Sequence, residues 1–219
     1  MLPEQFCVRM KEMLGEEYAA FYASYDLPKY QALRINPLKT ERDTFLLQAP
    51  FSLNRVPWTT NGYYYSGNDQ PGRHPYHEAG VYYIQEPSAM APAEYLMAEP
   101  GERILDLCAA PGGKSTQIAC SMQGEGLIVC NEIHPARAKI LSENIERMGV
   151  CNALVTNETP QKLSDNFREY FDRILVDAPC SGEGMFRKNE DACDEWSPEN
   201  VENCAARQAE ILDLSLIHI

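Results

Sequence analysis

The stretch Asp106-Leu-Cys-Ala-Ala-Pro-Gly-Gly-Lys-Ser-Thr116 decides the fold of this chain. The apolar run 103–107 leads into it, and residues 117–122 continue as a helix-forming segment. This order is typical of a buried strand, a tight glycine turn and a helix. Gly112 and Gly113 allow the backbone to approach a ligand closely, and the first turn of the helix presents free N–H groups there. The stretch therefore predicts a nucleotide-type cofactor at the end of a parallel strand.

A second stretch carries matching chemistry. Asp177-Ala-Pro-Cys-Ser-Gly182 directly follows another apolar strand, residues 172–176. Because ligands bind at the carboxyl ends of parallel strands, we expect both stretches to line one cleft. A simple strand-to-helix turn at 106–116 would not require this second segment.

The composition indicates a globular chain with a sizeable core. Of the 219 residues 44% are hydrophobic, which suits one large domain or one domain with a small companion. The sequence shows no apolar run of about 18 residues and no secretory leader pattern, so we expect neither a transmembrane helix nor secretion. The eight cysteines form no C-x-x-C pair and no zinc-finger spacing, so we expect reduced thiols, no metal site and a cytoplasmic location.

The net charge of −13 is unevenly distributed along the chain. Residues 1–80 carry 8 basic and 9 acidic side chains, whereas residues 81–219 carry 11 and 23. A contact with a polyanion should therefore involve the N-terminal part or a local basic cluster such as Arg187-Lys188.

The first 80 residues predict a small α+β domain. Apolar residues at helical spacing predict a helix over 3–25, and the alternation in 30–35 predicts a strand. A short helix over 40–47 is expected to be capped by Thr40. Residues 50–80 are rich in Pro, Gly, Asn and Tyr, which favours short strands and loops.

Residues 81–219 predict an α/β domain with a doubly wound, mostly parallel sheet. Strands are expected at 103–107, 126–130, 152–156 and 172–176, with helices at 114–122, 135–148, 160–170 and 197–214 between and after them. A sheet that ended with the fourth strand would leave an apolar edge exposed. We therefore expect a C-terminal truncation, and we expect the last residues, 215–219, to be foreign to the natural sequence.

The strand ends carry candidate cofactor ligands. Asp106 and the loop 108–114 are placed to line the pocket for the polar end of the cofactor. Glu132 lies 26 residues further on, at the end of the next strand, where a carboxylate can accept hydrogen bonds from two ribose hydroxyls. The alternative for Glu132 is a solvated strand-end acid. Since the loop lacks the G-x-G-x-x-G pattern of dinucleotide sites, the sequence favours a cofactor without a pyrophosphate, such as S-adenosylmethionine.

An acid and a thiol, Asp177 and Cys180, are expected in the same cleft. Carbon 5 of cytosine is a weak nucleophile, and the addition of a thiolate at carbon 6 converts the ring into an enamine that can attack a methyl group. A nearby acid can accept a hydrogen bond from the exocyclic amine or share a proton with the ring nitrogen. Methylation of adenine or of an exocyclic amine needs no thiol. The alternative for Cys180 is a small buried residue.

Five stretches of the chain carry a family resemblance: Leu33-Arg-Ile-Asn-Pro-Leu-Lys39, Tyr83-Ile-Gln-Glu-Pro-Ser-Ala-Met90, Asp106–Thr116, Asp177–Lys188 and Trp196-Ser-Pro-Glu199. Together they resemble the NOL/NOP/Sun family of RNA (cytosine-5)-methyltransferases, particularly its bacterial ribosomal-RNA branch. The resemblance implies a class I, Rossmann-like methyltransferase fold, S-adenosylmethionine as cofactor and an N-terminal RNA-binding domain. It also implies that the cofactor or the adjoining target base is contacted by Cys108, Ala109, Ala110, Pro111, Gly112, Gly113, Lys114, Glu132 and Asp177.

The chain departs from the family pattern at two places. The family usually places an Asp after the third strand to meet the adenine, whereas Thr159 stands at that position here. We expect Thr159, or Glu158 beside it, to contact the adenine. The attacking nucleophile of the family is a second cysteine, in a Thr-Cys motif after a fifth strand, which lies beyond the end of this chain. By the resemblance, Cys180 assists release of the methylated RNA from its covalent adduct, so we assign it, with Asp177, to the catalytic site.

These observations predict an enzyme that methylates carbon 5 of a cytosine in structured RNA, most simply ribosomal RNA. We expect the complete protein to be an active monomer and this fragment to be inactive. Two alternatives remain open, a transfer-RNA methyltransferase of the same family and a non-catalytic RNA-binding assembly factor.

Overall fold

The computed structural model describes residues 2–189 and 191–216, which form two compact units. The larger unit contains Tyr30–Asp177 and the described residues from Leu214 onward, and the smaller one contains the described parts of Met1–Lys29 and Ala178–Asp213. Of the residues 215–219, which we expect to be foreign to the natural sequence, 217–219 lie outside the described part.

The strands are β1 Ala32–Ile35, β2 Leu53–Arg55, β3 Gly62–Tyr65, β4 Tyr82–Ile84, β5 Arg103–Asp106, β6 Leu127–Asn131, β7 Ala153–Thr156 and β8 Arg173–Leu175. The α-helices are α1 Glu4–Leu14, α2 Tyr18–Ala23, α3 Arg42–Gln48, α4 Pro75–Glu78, α5 Ala91–Leu96, α6 Gly113–Met122, α7 Pro135–Met148, α8 Pro160–Asn166, α9 Asp191–Asp194 and α10 Pro198–Leu216.

The larger unit contains two four-stranded sheets. One is antiparallel with the order β2-β3-β1-β4, and the other is parallel with the order β7-β6-β5-β8. The inner strand β5 has a buried apolar centre, Ile104 and Leu105, and α5 and α6 pack against its neighbours β8 and β6. The parallel sheet confirms the predicted α/β class. Since β4 belongs to the antiparallel sheet, that sheet extends to Ile84, and the predicted division into domains 1–80 and 81–219 stays a prediction.

The predicted single helix over 3–25 is wrong. The chain forms α1 and α2, separated by a 3-10 turn at Gly15–Glu17. Gly15 adopts a φ of +53°, outside the right-handed helical region, and its N–H bonds the carbonyl of Lys11. A glycine in this conformation ends a helix at little cost, and the apolar spacing on either side hides that break.

The predicted cap at Thr40 is also wrong. Helix α3 begins at Arg42, and the residue in the cap position, Glu41, makes no side-chain cap bond. The N–H of Thr40 instead closes the turn that starts at Asn36, with a distance of 3.2 Å to the Asn36 carbonyl oxygen. By contrast, Ser197 does cap α10, since its Oγ accepts from the N–H of Asn200 at 3.1 Å.

Asn36 and Gly80 join the antiparallel sheet to helix α7. The Asn36 Nδ2 donates to the carbonyl oxygens of Gly80 and Met148 at 2.7 and 2.8 Å. Gly80 has a φ of +69°, and a Cβ at this position would lie 2.0 Å from the carbonyl oxygen of Arg147. Only glycine allows this close approach of the two backbones.

Gly80→Ala is expected to lower the free energy of unfolding by about 3 kcal/mol or more, because it combines a strained positive φ with a backbone overlap. Gly101→Ala is the matched control. Gly101 has a φ of +87°, but no heavy atom of the described residues lies within 4 Å of the place where its Cβ would stand. The control should lose only about 1 kcal/mol. Urea denaturation measures both, and equal losses would contradict the close approach.

Candidate cofactor and active site

The predicted site residues of the larger unit follow the carboxyl ends of its parallel strands. Asp106 ends β5, Glu132 follows β6 and Asp177 follows β8. The loop after β5 crosses the end of β6, where the N–H of Ala109 donates to the carbonyl oxygen of Asn131 at 2.8 Å. The strand order therefore brings these residues to one edge of the sheet, as the parallel arrangement predicts.

Asp106 is a buried carboxylate with one unused oxygen. Its side chain is 1% exposed, and its Oδ2 accepts from the Ser115 hydroxyl at 2.7 Å. The Oδ1 atom is buried and has no hydrogen-bond partner within the described ranges. Burial raises the pKa of Asp106 to about 6, although the hydrogen bond from Ser115 opposes the rise. A cationic donor that reached Oδ1 would satisfy it.

Cys108, which follows on the same loop, is half-buried. Burial, together with the carboxylates of Asp106, Glu132 and Asp177, raises the pKa of the Cys108 thiol to about 12. The thiol therefore stays protonated near neutral pH and is unsuited to nucleophilic attack. The three carboxylates act on one thiol because they share this edge of the sheet.

The two glycines of the loop make room for protein neighbours. Gly112 has a φ of +110°, and a Cβ there would lie 3.2 Å from Leu141. A Cβ on Gly113 would lie 3.3 Å from the ring of Tyr83. The glycines therefore let α6 begin tightly between α7 and β4. The approach of a ligand to the same backbone stays a prediction.

Helix α7 holds the carbonyl oxygens of this loop. Arg137 donates to Ala110 at 2.9 Å, and Asn144 donates to Pro111 at 2.8 Å. The two donors are seven residues apart and therefore lie on the same face of the helix. Ala109 and Ala110 are buried in the core of the parallel sheet, whereas Pro111 is exposed. Neither donor was predicted from the sequence, because each binds a carbonyl group that is distant along the chain.

Glu132 is buried at the end of β6, with 3% exposure, and so is not a solvated strand-end acid. Its Oε1 accepts from the N–H of His134 at 2.9 Å, and its Oε2 lies 3.4 Å from the Arg137 Nη1. Arg137 thus connects this carboxylate to the Ala110 carbonyl. The arrangement fixes the carboxylate orientation before any ligand binds.

Lys114 and Asp177 join the glycine loop to the end of β8. Their Nζ and Oδ2 atoms are 2.6 Å apart, and the two side chains are 21% and 53% exposed. Since Asp177 is half exposed, this pair contributes little to stability, about 1 kcal/mol or less. Its effect is on geometry, because it fixes one carboxylate oxygen and leaves the other accessible.

The loop after β7 is held by Asn131, whose Nδ2 donates to the carbonyl oxygens of Leu107 and Glu158. Thr159 is exposed and caps α8, and its Oγ1 accepts from the N–H of Lys162 at 3.3 Å. Aspartate caps helices equally well, so the replacement of Asp by Thr keeps the local structure. A contact of Thr159 with adenine stays a prediction.

Cys180 belongs to the smaller unit and is exposed, so it is not a small buried residue. The preceding carbonyl oxygen, that of Pro179, accepts from Gln208 of α10 at 3.0 Å. Three residues after Cys180, the Glu183 carboxylate accepts from Arg9 and from the Trp196 indole, each at 2.9 Å. The loop is therefore held on both sides of the thiol.

The residues of the larger unit fit S-adenosylmethionine. The unused Oδ1 of Asp106 suits an ammonium group, and the preoriented Glu132 suits ribose hydroxyls. Within the described ranges no group of three or more His, Cys, Asp and Glu side chains could hold a metal ion. None of the described helices has the length and apolarity needed to cross a membrane.

The raised pKa of Asp106 predicts a pH-dependent stability. Because the folded-state pKa of about 6 exceeds the ordinary 3.8, the folded state keeps a proton that the unfolded state releases between about pH 4 and 6. Stability should therefore fall as the pH rises through this window, by up to about 3 kcal/mol.

Asp106→Asn removes this ionisation and keeps an acceptor for Ser115. The unfolding free energy of this variant, relative to the unsubstituted chain, should increase from pH 4 to pH 7 in urea titrations. Asp165→Asn, at an exposed carboxylate of α8, should show no such trend. A difference that is independent of pH for Asp106→Asn would contradict the burial argument.

Two sequence families match the chain. The family described as 16S rRNA methyltransferase RsmB/F matches residues 93–219. The family described as the N-terminal domain of 16S rRNA methyltransferase RsmF matches residues 2–87. Together they cover both the antiparallel and the parallel sheet.

Curated relatives agree with these matches. The ribosomal RNA small subunit methyltransferase F of Escherichia coli O157:H7 is 39% identical over 222 residues, and that of Cronobacter sakazakii is 40% identical over 223. The alignments cover 96% and 97% of this chain but 46% of each relative, so the chain spans about half their length.

A solved structure supports the fold. The methyltransferase homolog protein from Pyrococcus horikoshii has a TM-score of 0.84 and 28% identity, over 97% of this chain and 68% of that one. The sequence resemblance, the α/β methyltransferase fold and S-adenosylmethionine as the cofactor are thereby confirmed. The chain therefore belongs to the 16S rRNA methyltransferase RsmB/F family.

Proposed function

We propose that the complete protein transfers a methyl group to carbon 5 of a cytosine in small-subunit ribosomal RNA. The observation that carries this proposal is the convergence of Asp106, Glu132 and Asp177 on the loop 108–114 at one edge of the parallel sheet. The names of the curated relatives support ribosomal RNA over transfer RNA. Cytoplasmic location and a monomeric state stay predictions.

The cofactor supplies an electrophilic methyl group on a sulfonium when it is bound. Asp106 would accept from its ammonium group, and Glu132 would accept from the ribose hydroxyls. Thr159 stands where the adenine is expected. The loop carbonyls, which Arg137 and Asn144 hold, keep this surface fixed, so little ordering of the chain accompanies binding.

Asp177 would recognise the target base. One of its oxygens is held by Lys114, which leaves the other to accept a hydrogen bond from the exocyclic amine of an unpaired cytosine. The interaction favours cytosine over uracil, which has a carbonyl at that position. The attacking thiolate, which adds to carbon 6, would come from a part of the protein outside this chain.

Cys180 would act in the last step. Once carbon 5 carries the methyl group, transfer of the carbon 5 proton to a base expels the attacking thiolate from carbon 6 and restores the aromatic ring. The exposure of Cys180 and the two anchors of its loop suit a sulfur that, as a thiolate, would accept this proton. Its removal should therefore block release rather than attack.

The function is tested with the complete protein from the same source gene. Small-subunit RNA is incubated with the protein and methyl-labelled S-adenosylmethionine, digested and analysed by nucleoside mass spectrometry. We expect label in 5-methylcytidine. Large-subunit RNA and transfer RNA serve as competing substrates. Label confined to transfer RNA, label on another atom, or binding of RNA without label would contradict the proposal.

Cys180→Ala in the complete protein should trap the covalent RNA adduct, because formation is intact and elimination is slowed. The adduct is measured as a slowly migrating band on a denaturing gel, with turnover reduced by about 100-fold or more. Cys151→Ala, at another exposed cysteine, is the matched control and should leave turnover unchanged. Ordinary turnover of Cys180→Ala without an adduct would remove Cys180 from the mechanism.

A further inference from the structure

Arg34 of β1 is almost completely buried, with 1% exposure, and it contacts the start of helix α6. Its Nη2 donates to the Gly113 carbonyl oxygen at 3.1 Å and to the Thr116 Oγ1 at 2.8 Å. Its Nε donates to the Gln85 Oε1 at 3.1 Å. One guanidinium therefore links three of the stretches that carry the family resemblance, those around residues 34, 85 and 113.

A relay extends from Arg34 to the neighbouring glycine. The Thr116 hydroxyl, which accepts from Arg34, donates in turn to the Gly112 carbonyl oxygen at 2.8 Å. The carbonyl groups of both loop glycines are thus fixed by Arg34, one directly and one through Thr116. Because Gly112 and Gly113 join the loop to the helix, these bonds set the direction of the N–H groups in the first turn of α6.

Arg34 forms no ion pair within the described ranges, and burial lowers its pKa. The Tyr83 ring, 5.8 Å from the guanidinium, and the Glu94 carboxylate offset only part of this cost. A buried charge without an ion-pair partner is costly. Its position also opposes the helix dipole, since a cation lies beside the positive end of α6. An anionic group bound at the first turn of α6 would relieve both costs.

We propose that Arg34 is a positioning residue for the cofactor and favours binding of its methionyl carboxylate at the first turn of α6. The inference rests on the proposed function, in which Glu132 and Thr159 face the adenosine half and the loop 108–114 faces the amino-acid half. Arg34 acts through the glycine carbonyls and the local electrostatic field.

The test compares two ligands that share adenosine. S-adenosylmethionine carries the amino-acid half, whereas 5′-methylthioadenosine lacks it. Isothermal titration of the full 219-residue chain gives a Kd for each. In Arg34→Met the Kd for S-adenosylmethionine should rise about tenfold or more, because its carboxylate loses the field of the buried charge and the fixed first turn of α6. The Kd for 5′-methylthioadenosine should change less than about threefold on the same scale.

Two further variants complete the test. Arg34→Lys, which keeps the charge, should restore part of the selective loss. Arg42→Met is the control at an exposed arginine whose one ion pair among the described residues is with the adjacent Asp43, and it should change neither Kd. Equal weakening of both ligands by Arg34→Met, or no weakening of either, would overturn the proposal, since a merely structural role affects both alike.

If the Arg34 variants do not fold, Thr116→Val tests the proposal instead. This variant removes only the hydroxyl group that links Arg34 to the Gly112 carbonyl oxygen. The same selective loss is expected, and its absence would overturn the proposal. If the unsubstituted chain binds neither ligand, the proposed cofactor site fails. In that case the hydrogen-exchange rates of amides 112–117 test the positioning role of Arg34 separately. Faster exchange in Thr116→Val than in the unsubstituted chain would support this role, and unchanged exchange would refute it.

Discussion

The fixed backbone of the loop 108–114 is the constraint on which the rest of the site depends. Three of its residues have their carbonyl oxygens held by side chains from elsewhere: Ala110 by Arg137, Pro111 by Asn144, and Gly113 by Arg34. Two of these donors come from α7 and one from the antiparallel sheet. With the carbonyl groups turned toward protein donors, the loop can be preorganised before the cofactor binds, which lowers the entropic cost of binding.

The antiparallel sheet therefore supports the parallel one. Asn36 donates hydrogen bonds to the carbonyl oxygen of Gly80, in the turn before β4, and to that of Met148 in α7. Gly80 allows these two backbones to approach closely. A role of the N-terminal residues in RNA binding stays a prediction, whereas their structural role is visible in these contacts. The stretch Leu33–Lys39 carries part of the family resemblance. The burial of Arg34 and Asn36 gives this stretch a structural role.

The sequence predicted the features that depend on local residue patterns, such as helix bounds, and those that depend on strand direction, such as the edge of the sheet where site residues lie. The bounds of α7 are those expected, since Pro135 starts the helix and Gly149, with a positive φ, ends it. Carboxylates at the ends of the parallel strands were expected at one edge of the sheet, and Asp106, Glu132 and Asp177 all lie at or just after such strand ends. The donors Arg34, Arg137 and Asn144 were missed because they bind carbonyl groups distant in sequence, which no local pattern reveals. The prediction of a single helix over 3–25 was wrong because Gly15, in its positive-φ conformation, ends α1 although the apolar spacing continues beyond it.

A crystal structure of the 219-residue chain with S-adenosylhomocysteine would show whether the loop 108–114 is formed before the cofactor binds. We expect the ribose hydroxyls at Glu132, the ammonium group at the Oδ1 of Asp106 and the carboxylate at the first turn of α6. We also expect the backbone of 108–114 to stay in place, because its carbonyl groups are already held. A ligand bound elsewhere would contradict this site. A loop rebuilt around the ligand, with its bonds to Arg34, Arg137 and Asn144 broken, would contradict the preformed loop.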